Sequence, residues 1–243
     1  MRPCGTSFEL KNNSIMRLVI FDVDGTLTDT VAIDERCFLR AFAELCGLAS
    51  VDPDWSRYRD ATDAGIFNEV FACHMGRAPS LKETIEFRDH LAALFREAAS
   101  KSPFAPIAGA PQLLVRLDHS EKYKVALATG CWRESARVKM ASAGMDYDAY
   151  PSASANDAPE RAAIMRLAVE RAAIRYGCFD DSVYVGDGVW DARACRALGI
   201  PFIGIGVASR AEKLRQAGAV KVFADLMDSD GFQQVLQSIE ANF

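Results

Sequence analysis

Asp22 and Asp24, separated by one residue, follow a short apolar run, Leu18-Val19-Ile20-Phe21, and precede Gly25. A second polar stretch, Thr129-Gly130, comes just after Ala128. A third, Gly186-Asp187-Gly188-Val189-Trp190-Asp191, comes just after Val183-Tyr184-Val185. Carboxylates brought together repel and partly protonate unless a cation joins them. Asp22 and Asp187 offer the hard anionic oxygens that magnesium takes alongside waters and a phosphate oxygen. With its charge balanced in this way, Asp22 can stay ionised and attack phosphorus. Asp24 can act as general acid to a leaving alkoxide and then as general base to water. The Thr129 hydroxyl and the Gly130 amide can donate to phosphoryl oxygens, where charge collects in the transition state. Gly25 lets the chain turn sharply.

A cation is also needed to balance the phosphate and the nucleophile. Arg161, at the start of a helical stretch, is the choice, with Arg166 and Lys139 as the alternatives. Asp191 lies one helical turn beyond Asp187 and can hold Arg161 by a charge-assisted pair. Plainer roles exist for each residue alone. An aspartate after a strand often caps a helix, and Asp191 also suits a helix N-terminus. A lone threonine is often a turn residue. The three stretches together favour a site. His74, His90 and His119 are scattered, and Asn68, His74 and Arg77 carry no pattern that assigns them a role.

These residues need elements to hold them. Apolar runs at Leu18–Phe21, Lys124–Ala128, Val183–Val185, Phe202–Ile205 and Val220–Phe223 read as strands, the first of them buried. Between and after them, helical patterns are expected at Val31–Leu45 (stopped by Gly47), Pro111–Leu117, Arg133–Ala143 (stopped by Gly144) and Ala192–Leu198. A further helix is expected at Pro159–Arg175, with Asp157 as its N-cap, another opening at Ser209-x-x-Glu212, and a last one at the C-terminus. Strands alternating with helices imply right-handed crossovers and a parallel sheet covered on both faces. The expected fold is therefore α/β, a Rossmann-like parallel sheet core, and ligands bind such sheets beyond the carboxyl ends of the strands. From about residue 50 to 104 the pattern reads as helical throughout, with Thr62 or Asp63 as one cap and Ser80-x-x-Glu83 as a capping box. This block interrupts the alternation and reads as an inserted helical cap. The expected division is a flexible extension at 1–15, a core at 16–32 and 105–243, and a cap at 33–104. Met16 is a candidate natural start. The connections near Thr28–Val31 and Pro103–Ile107 are expected to let the cap open and close.

The 243 residues are half hydrophobic, a quarter charged and carry a formal net charge of -5, the balance of an ordinary globular chain. No basic surface argues for nucleic acid or an anionic membrane. No apolar run is long enough to span a bilayer, and residues 1–15 hold no continuous apolar stretch of the signal-peptide kind. The seven cysteines include no Cys-x-x-Cys pair, so the spacing suggests neither zinc nor a redox couple. Cys37, Cys46 and Cys195 read as small core residues, and a reducing, cytoplasmic compartment is the simple expectation.

The constellation resembles the haloacid dehalogenase superfamily from about Met16 to the end. The matching residues are Asp22-x-Asp24-Gly25-Thr26, Thr129, a basic residue before the long helix, and Gly186-Asp187-x-x-x-Asp191. The resemblance implies that Asp22 is nucleophile and metal ligand, and that Asp24 is acid/base and ligates metal through its backbone carbonyl. It implies that Asp187 is a metal ligand, and that Thr129 and the basic residue bind phosphate. An insertion between the first two motifs is similar to the first cap class, as in phosphoglycolate phosphatase and beta-phosphoglucomutase. One departure is the third motif, often Lys-Pro in such relatives and Asp157-Ala158-Pro159-Glu160-Arg161 here. The expected activity is magnesium-dependent hydrolysis of a small phosphorylated metabolite through an aspartyl-phosphate. A sugar phosphate mutase would use the same intermediate. Dehalogenation and phosphonate cleavage are disfavoured by Asp24, and a silent binding protein by the full acidic set. The substrate and oligomeric state are not legible.

Overall fold

The computed structural model describes residues 16–239. The expected extension at 1–15 lies outside the described residues. Six parallel strands form one sheet: β1 (Arg17–Phe21), β2 (Tyr123–Ala128), β3 (Ser152–Ala153), β4 (Asp181–Gly186), β5 (Phe202–Ile205) and β6 (Lys221–Phe223). Their order is β3-β2-β1-β4-β5-β6. Every residue of β1 is buried, as expected of a central parallel strand covered on both faces.

The sheet order explains how distant motifs meet. β1 lies between β2 and β4, with Phe21 opposite both Leu127 and Val185. The three strands that end in polar residues are therefore adjacent, and they end together. Chain order also reverses at β1, which makes this rim the topological switch point where open sheets bind ligands.

Helices α4 (Ala110–Asp118), α5 (Arg133–Ser142), α6 (Arg161–Tyr176), α7 (Val189–Leu198), α8 (Ala208–Gln216) and α9 (Ser229–Ser238) cover the sheet. One apolar cluster joins Val19, Phe21 and Val125 to Leu113, Met140 and Phe232. The other joins Leu18, Ile20 and Ala126 to Ile164, Met165 and Leu214. The alternation of β1 side chains between the two clusters is the period-two geometry of a strand.

The helical insertion comprises α1 (Val31–Cys46), α2 (Asp63–Met75) and α3 (Leu81–Lys101). It builds its own apolar cluster from Phe38, Phe42, Phe67, Phe87 and Phe95. Trp132 enters that cluster from the core, within 5.9–6.4 Å of the Phe38, Phe67 and Phe87 rings. Thr62 caps α2 by accepting from Gly65 N at 3.0 Å, and the Ser80–Glu83 capping box is present. The two connections run side by side, with Asp29 N donating to Ala105 O and Ile107 N to Leu27 O, each at 2.9 Å.

Several sequence expectations need correction. Residues 50–62, within the block expected to be helical throughout, are not; a single 3-10 turn, Trp55–Arg57, interrupts a loop. Asp52 and Asp54 accept from backbone amides two residues on, and these Asx turns compete with a helix around Pro53. Asp157 is not the N-cap of α6. Pro159 disfavours helical geometry at Ala158, and the Asp157 carboxylate instead takes Ser154 N and Arg171. The helix therefore begins at Arg161. Ser209 lies inside α8, whose N-cap is Val207 with no side-chain bond. β3 is a further element, two residues long. Cys37 and Cys195 are buried as core residues, while Cys46 is half-buried. Among the described residues no helix is long and apolar enough to cross a membrane.

Candidate active site

Asp22, Thr129 and Asp187 immediately follow the C-terminal ends of β1, β2 and β4. They line one cleft of about 130 Å³ together with Asp24, Gly130, Arg161, Trp190 and Arg210. The insertion closes the other side with Asp34, Phe38, Trp55, Thr62, Asp63 and Ile66. Hydrogen bonds seat it there: Asp63 N donates to Gly130 O at 2.7 Å, and Trp132 N to Oδ2 of the Asp63 side chain at 2.8 Å.

Arg161, the first residue of α6, is 9 % exposed and sits between two carboxylates. Its Nη1 donates to Asp22 Oδ1 at 3.3 Å, and its Nε lies 3.3 Å from Asp191 Oδ1. The Asp191 contact is an ion pair rather than an aligned hydrogen bond, since Nε has no hydrogen-bond partner. Asp191 itself is fully buried and accepts from Gly188 N at 3.1 Å. The arrangement holds a guanidinium beside the nucleophile candidate with its other edge anchored. Of the two alternatives, Arg166 is exposed and Lys139 does not line the cleft. Gly130 makes room for Arg161: a Cβ there would stand 2.8 Å from Nη2.

Asp24 is held differently. Thr30 Oγ1 donates to its Oδ1 at 2.5 Å, and Lys139 Nζ reaches its two oxygens at 2.8 and 2.9 Å. Burial pushes the Asp24 carboxyl up, but the Lys139 charge and the Lys139 and Thr30 hydrogen bonds outweigh it, leaving it below the ordinary value. Asp22 goes the other way. Burial raises it, and Arg161 only partly offsets this. Two carboxylates two residues apart thus differ in proton affinity, Asp22 raised and Asp24 lowered, and a cation at Asp22 would favour its ionised form.

Asp22, Asp187 and Asp191 each offer a carboxylate oxygen within 4.8 Å of the others. The Asp24 side chain stands outside this trio. Burial raises the Asp187 carboxyl well above its ordinary value, and the Asp22 charge adds to that against the pull of Arg210, which bonds it at 2.8 Å. Burial also pushes Asp191 up to about 7. The donors are all hard oxygens short of positive charge, and such a set fits a divalent ion of the magnesium class.

Gly25 permits the approach of the first and last motifs. Its φ is 66°, and a Cβ would stand 2.1 Å from Asp187 Oδ2. Gly25→Ala is expected to cost about 1–3 kcal/mol from the left-handed backbone alone, with displacement of Asp187 in addition. Urea denaturation checks this, and an unchanged midpoint would contradict it.

Sequence reasoning missed Thr30, Asp34, Asp63 and Arg210 as parts of the site, and considered Lys139 only as a substitute for Arg161. Lys139 carried a signal: it falls beside Met140 and one turn after Ala136, on the buried face of α5. Arg210 and Asp63 carried none, because their approach depends on how α8 and the insertion pack.

A model of the haloacid dehalogenase-like hydrolase family matches residues 16–199. No match was found among curated proteins. Among solved structures, a hydrolase from Pseudomonas syringae is 20% identical, covering 90% of this chain and 98% of its own, with a TM-score of 0.70. CbbY from Rhodobacter sphaeroides, in complex with phosphate, is 18% identical, covering 88% and 96%, with a TM-score of 0.65. A putative beta-phosphoglucomutase from Bacteroides vulgatus is 17% identical, covering 93% and 91%, with a TM-score of 0.67. At such identities the structural likeness speaks to fold, a parallel sheet flanked by helices. The family match spans all three strand-end motifs, and the chain belongs to the haloacid dehalogenase-like hydrolases.

Proposed function

We propose that this protein is a magnesium-dependent phosphatase that hydrolyses a small phosphorylated metabolite through phosphorylated Asp22. The observation that carries this reading is the pairing of two unlike carboxylates at one strand end. Asp22 faces the cleft beside Arg161, while Asp24, two residues on, is held by Lys139 and Thr30. The phosphate in the Rhodobacter sphaeroides structure supports the same ligand class.

In the first step an Asp22 oxygen forms a bond to phosphorus as the bond to the ester oxygen breaks. The electron pair stays on that oxygen, which takes a proton from Asp24. In the second step Asp24, now a carboxylate, takes a proton from water. The water oxygen bonds to phosphorus, and the bond to Asp22 breaks to give inorganic phosphate. Arg161, Thr129 and the Gly130 amide bind the phosphoryl oxygens. Asp191 orients Arg161. Asp22, Asp187 and the Asp24 carbonyl would hold the metal, which when bound supplies positive charge to the phosphoryl group and to Asp22. Residues 16–32 and 105–243 act as the catalytic core, and 33–104 as a cap that excludes bulk water.

A panel of phosphate esters tests this. With magnesium, at least one ester should release inorganic phosphate; chelation should reduce the rate to background, and added magnesium should restore it. Isomerised sugar phosphate without released phosphate would replace the reading with a mutase. No turnover of any ester would leave a binding role.

A further inference from the structure

Lys139 is a charged side chain with 0 % exposure that the proposed chemistry does not use. It is fully buried on α5, yet it does not line the cleft. Its ammonium touches Asp24 from the core and makes a short ion pair with Asp34 from α1. It also lies 4.3 Å from the centre of the Phe95 ring on α3. Taking an ammonium out of water costs several kcal/mol, and a buried ion pair often stabilises no better than apolar packing would. A leucine or methionine here would continue the apolar face that Ala136 and Met140 begin. The lysine therefore calls for a role beyond packing.

We infer that Lys139 is a positioning residue for the reaction, fixing the orientation of Asp24 so that its proton is delivered to the leaving oxygen. The inference rests on the phosphatase reading. The geometry supports it in three ways. Lys139 Nζ spans both Asp24 oxygens, at 2.8 and 2.9 Å, so the carboxylate plane is set rather than free to rotate. Thr30 Oγ1, itself paired with Thr28 Oγ1 at 2.7 Å, adds a second donor to Oδ1. The Asp34 bond ties the ammonium to the insertion, so Asp24 takes this orientation when the insertion sits over the cleft. As Asp24 gives up its proton, the carboxylate that forms already has its counter-charge in place. Lys139 acts through Asp24 and does not line the cleft in which the ester would sit.

The test separates this role from a purely structural one by the leaving group. Glycerol phosphate needs a proton at its departing alkoxide, whereas p-nitrophenyl phosphate releases a stable anion without one. For Lys139→Met, kcat/KM for glycerol phosphate should fall about 100-fold and that for p-nitrophenyl phosphate by less than about five-fold, the first being the lower range of general acid catalysis. The ratio of the two is independent of how much of the variant folds. Lys139→Met combined with Asp34→Asn removes one unpaired carboxylate along with the cation, and should show the same split. Equal losses on both esters, or no loss on either, would overturn the inference while leaving the phosphatase reading intact. Wild-type protein inactive on these two and on every other ester of the panel would overturn both.

Discussion

Asp22→Asn is expected to lower kcat on any phosphate ester by at least about 10⁴-fold, a loss of the size seen when a covalent nucleophile is removed. The amide nearly matches the carboxylate in shape but has no anionic oxygen to attack phosphorus. The loss should come without unfolding. Burial raises the Asp22 carboxyl above its ordinary value. Ionising it therefore costs the folded state free energy once the pH passes the unfolded-state value, and that cost grows until the pH passes the raised folded-state value. A neutral amide carries no such cost, so the metal-free variant at neutral pH should be at least as stable as wild type. Arg161 keeps Asp191 as a partner. Inactive protein with a lowered denaturation midpoint would mean that Asp22 is structural, and a rate within ten-fold of wild type would mean that it is not the nucleophile.

Trp132→Ala is expected to cost about 3–5 kcal/mol, the range for emptying a large buried aromatic site. The side chain is 2 % exposed and is the core's main insertion into the apolar cluster of α1 to α3. It stands three residues after Thr129, so the same loop carries the proposed phosphate-binding hydroxyl and the seat of the insertion. Its removal should weaken closure over the cleft as well as overall stability. Urea denaturation measures the loss of stability, and Ile174→Ala provides the control. Ile174 is 86 % exposed, and its loss should change stability by less than about 0.5 kcal/mol. A cost below about 1 kcal/mol for Trp132→Ala would show that the insertion holds its place by other contacts.

The fold was legible where local chemistry decided it. The apolar run before Asp22, the left-handed glycines that end α1 and follow α5, and the Ser80–Glu83 box are all readable over a few residues. Legibility failed where a distant partner decided. Asp157 looks like a cap until Arg171 takes its carboxylate. β3 exists because Ala153 meets Ala128 across the sheet. The candidate site divides in the same way. Asp22, Thr129 and Asp187 could be placed together because each follows a strand end and parallel strands end on one rim, and Asp24 comes with Asp22 two residues on. The Asp191–Arg161 pair is expected from the sequence and is present, although Asp187 precedes α7 and shares no helical face with Asp191. The Lys139 contacts with Asp24 and Asp34 could not be anticipated, because they require α5, the β1 turn and the insertion to pack before the three charges meet.

The most direct test of the account is to trap the intermediate. Protein mixed with magnesium and a turning-over phosphate ester should be quenched in acid within one turnover, digested, and its peptides weighed. The account predicts a phosphoryl group on the peptide carrying Asp22, lost on treatment with hydroxylamine and absent from Asp22→Asn. Phosphate release with no phosphorylated Asp22 peptide at any quench time, from protein that Asp22→Asn leaves active, would contradict it.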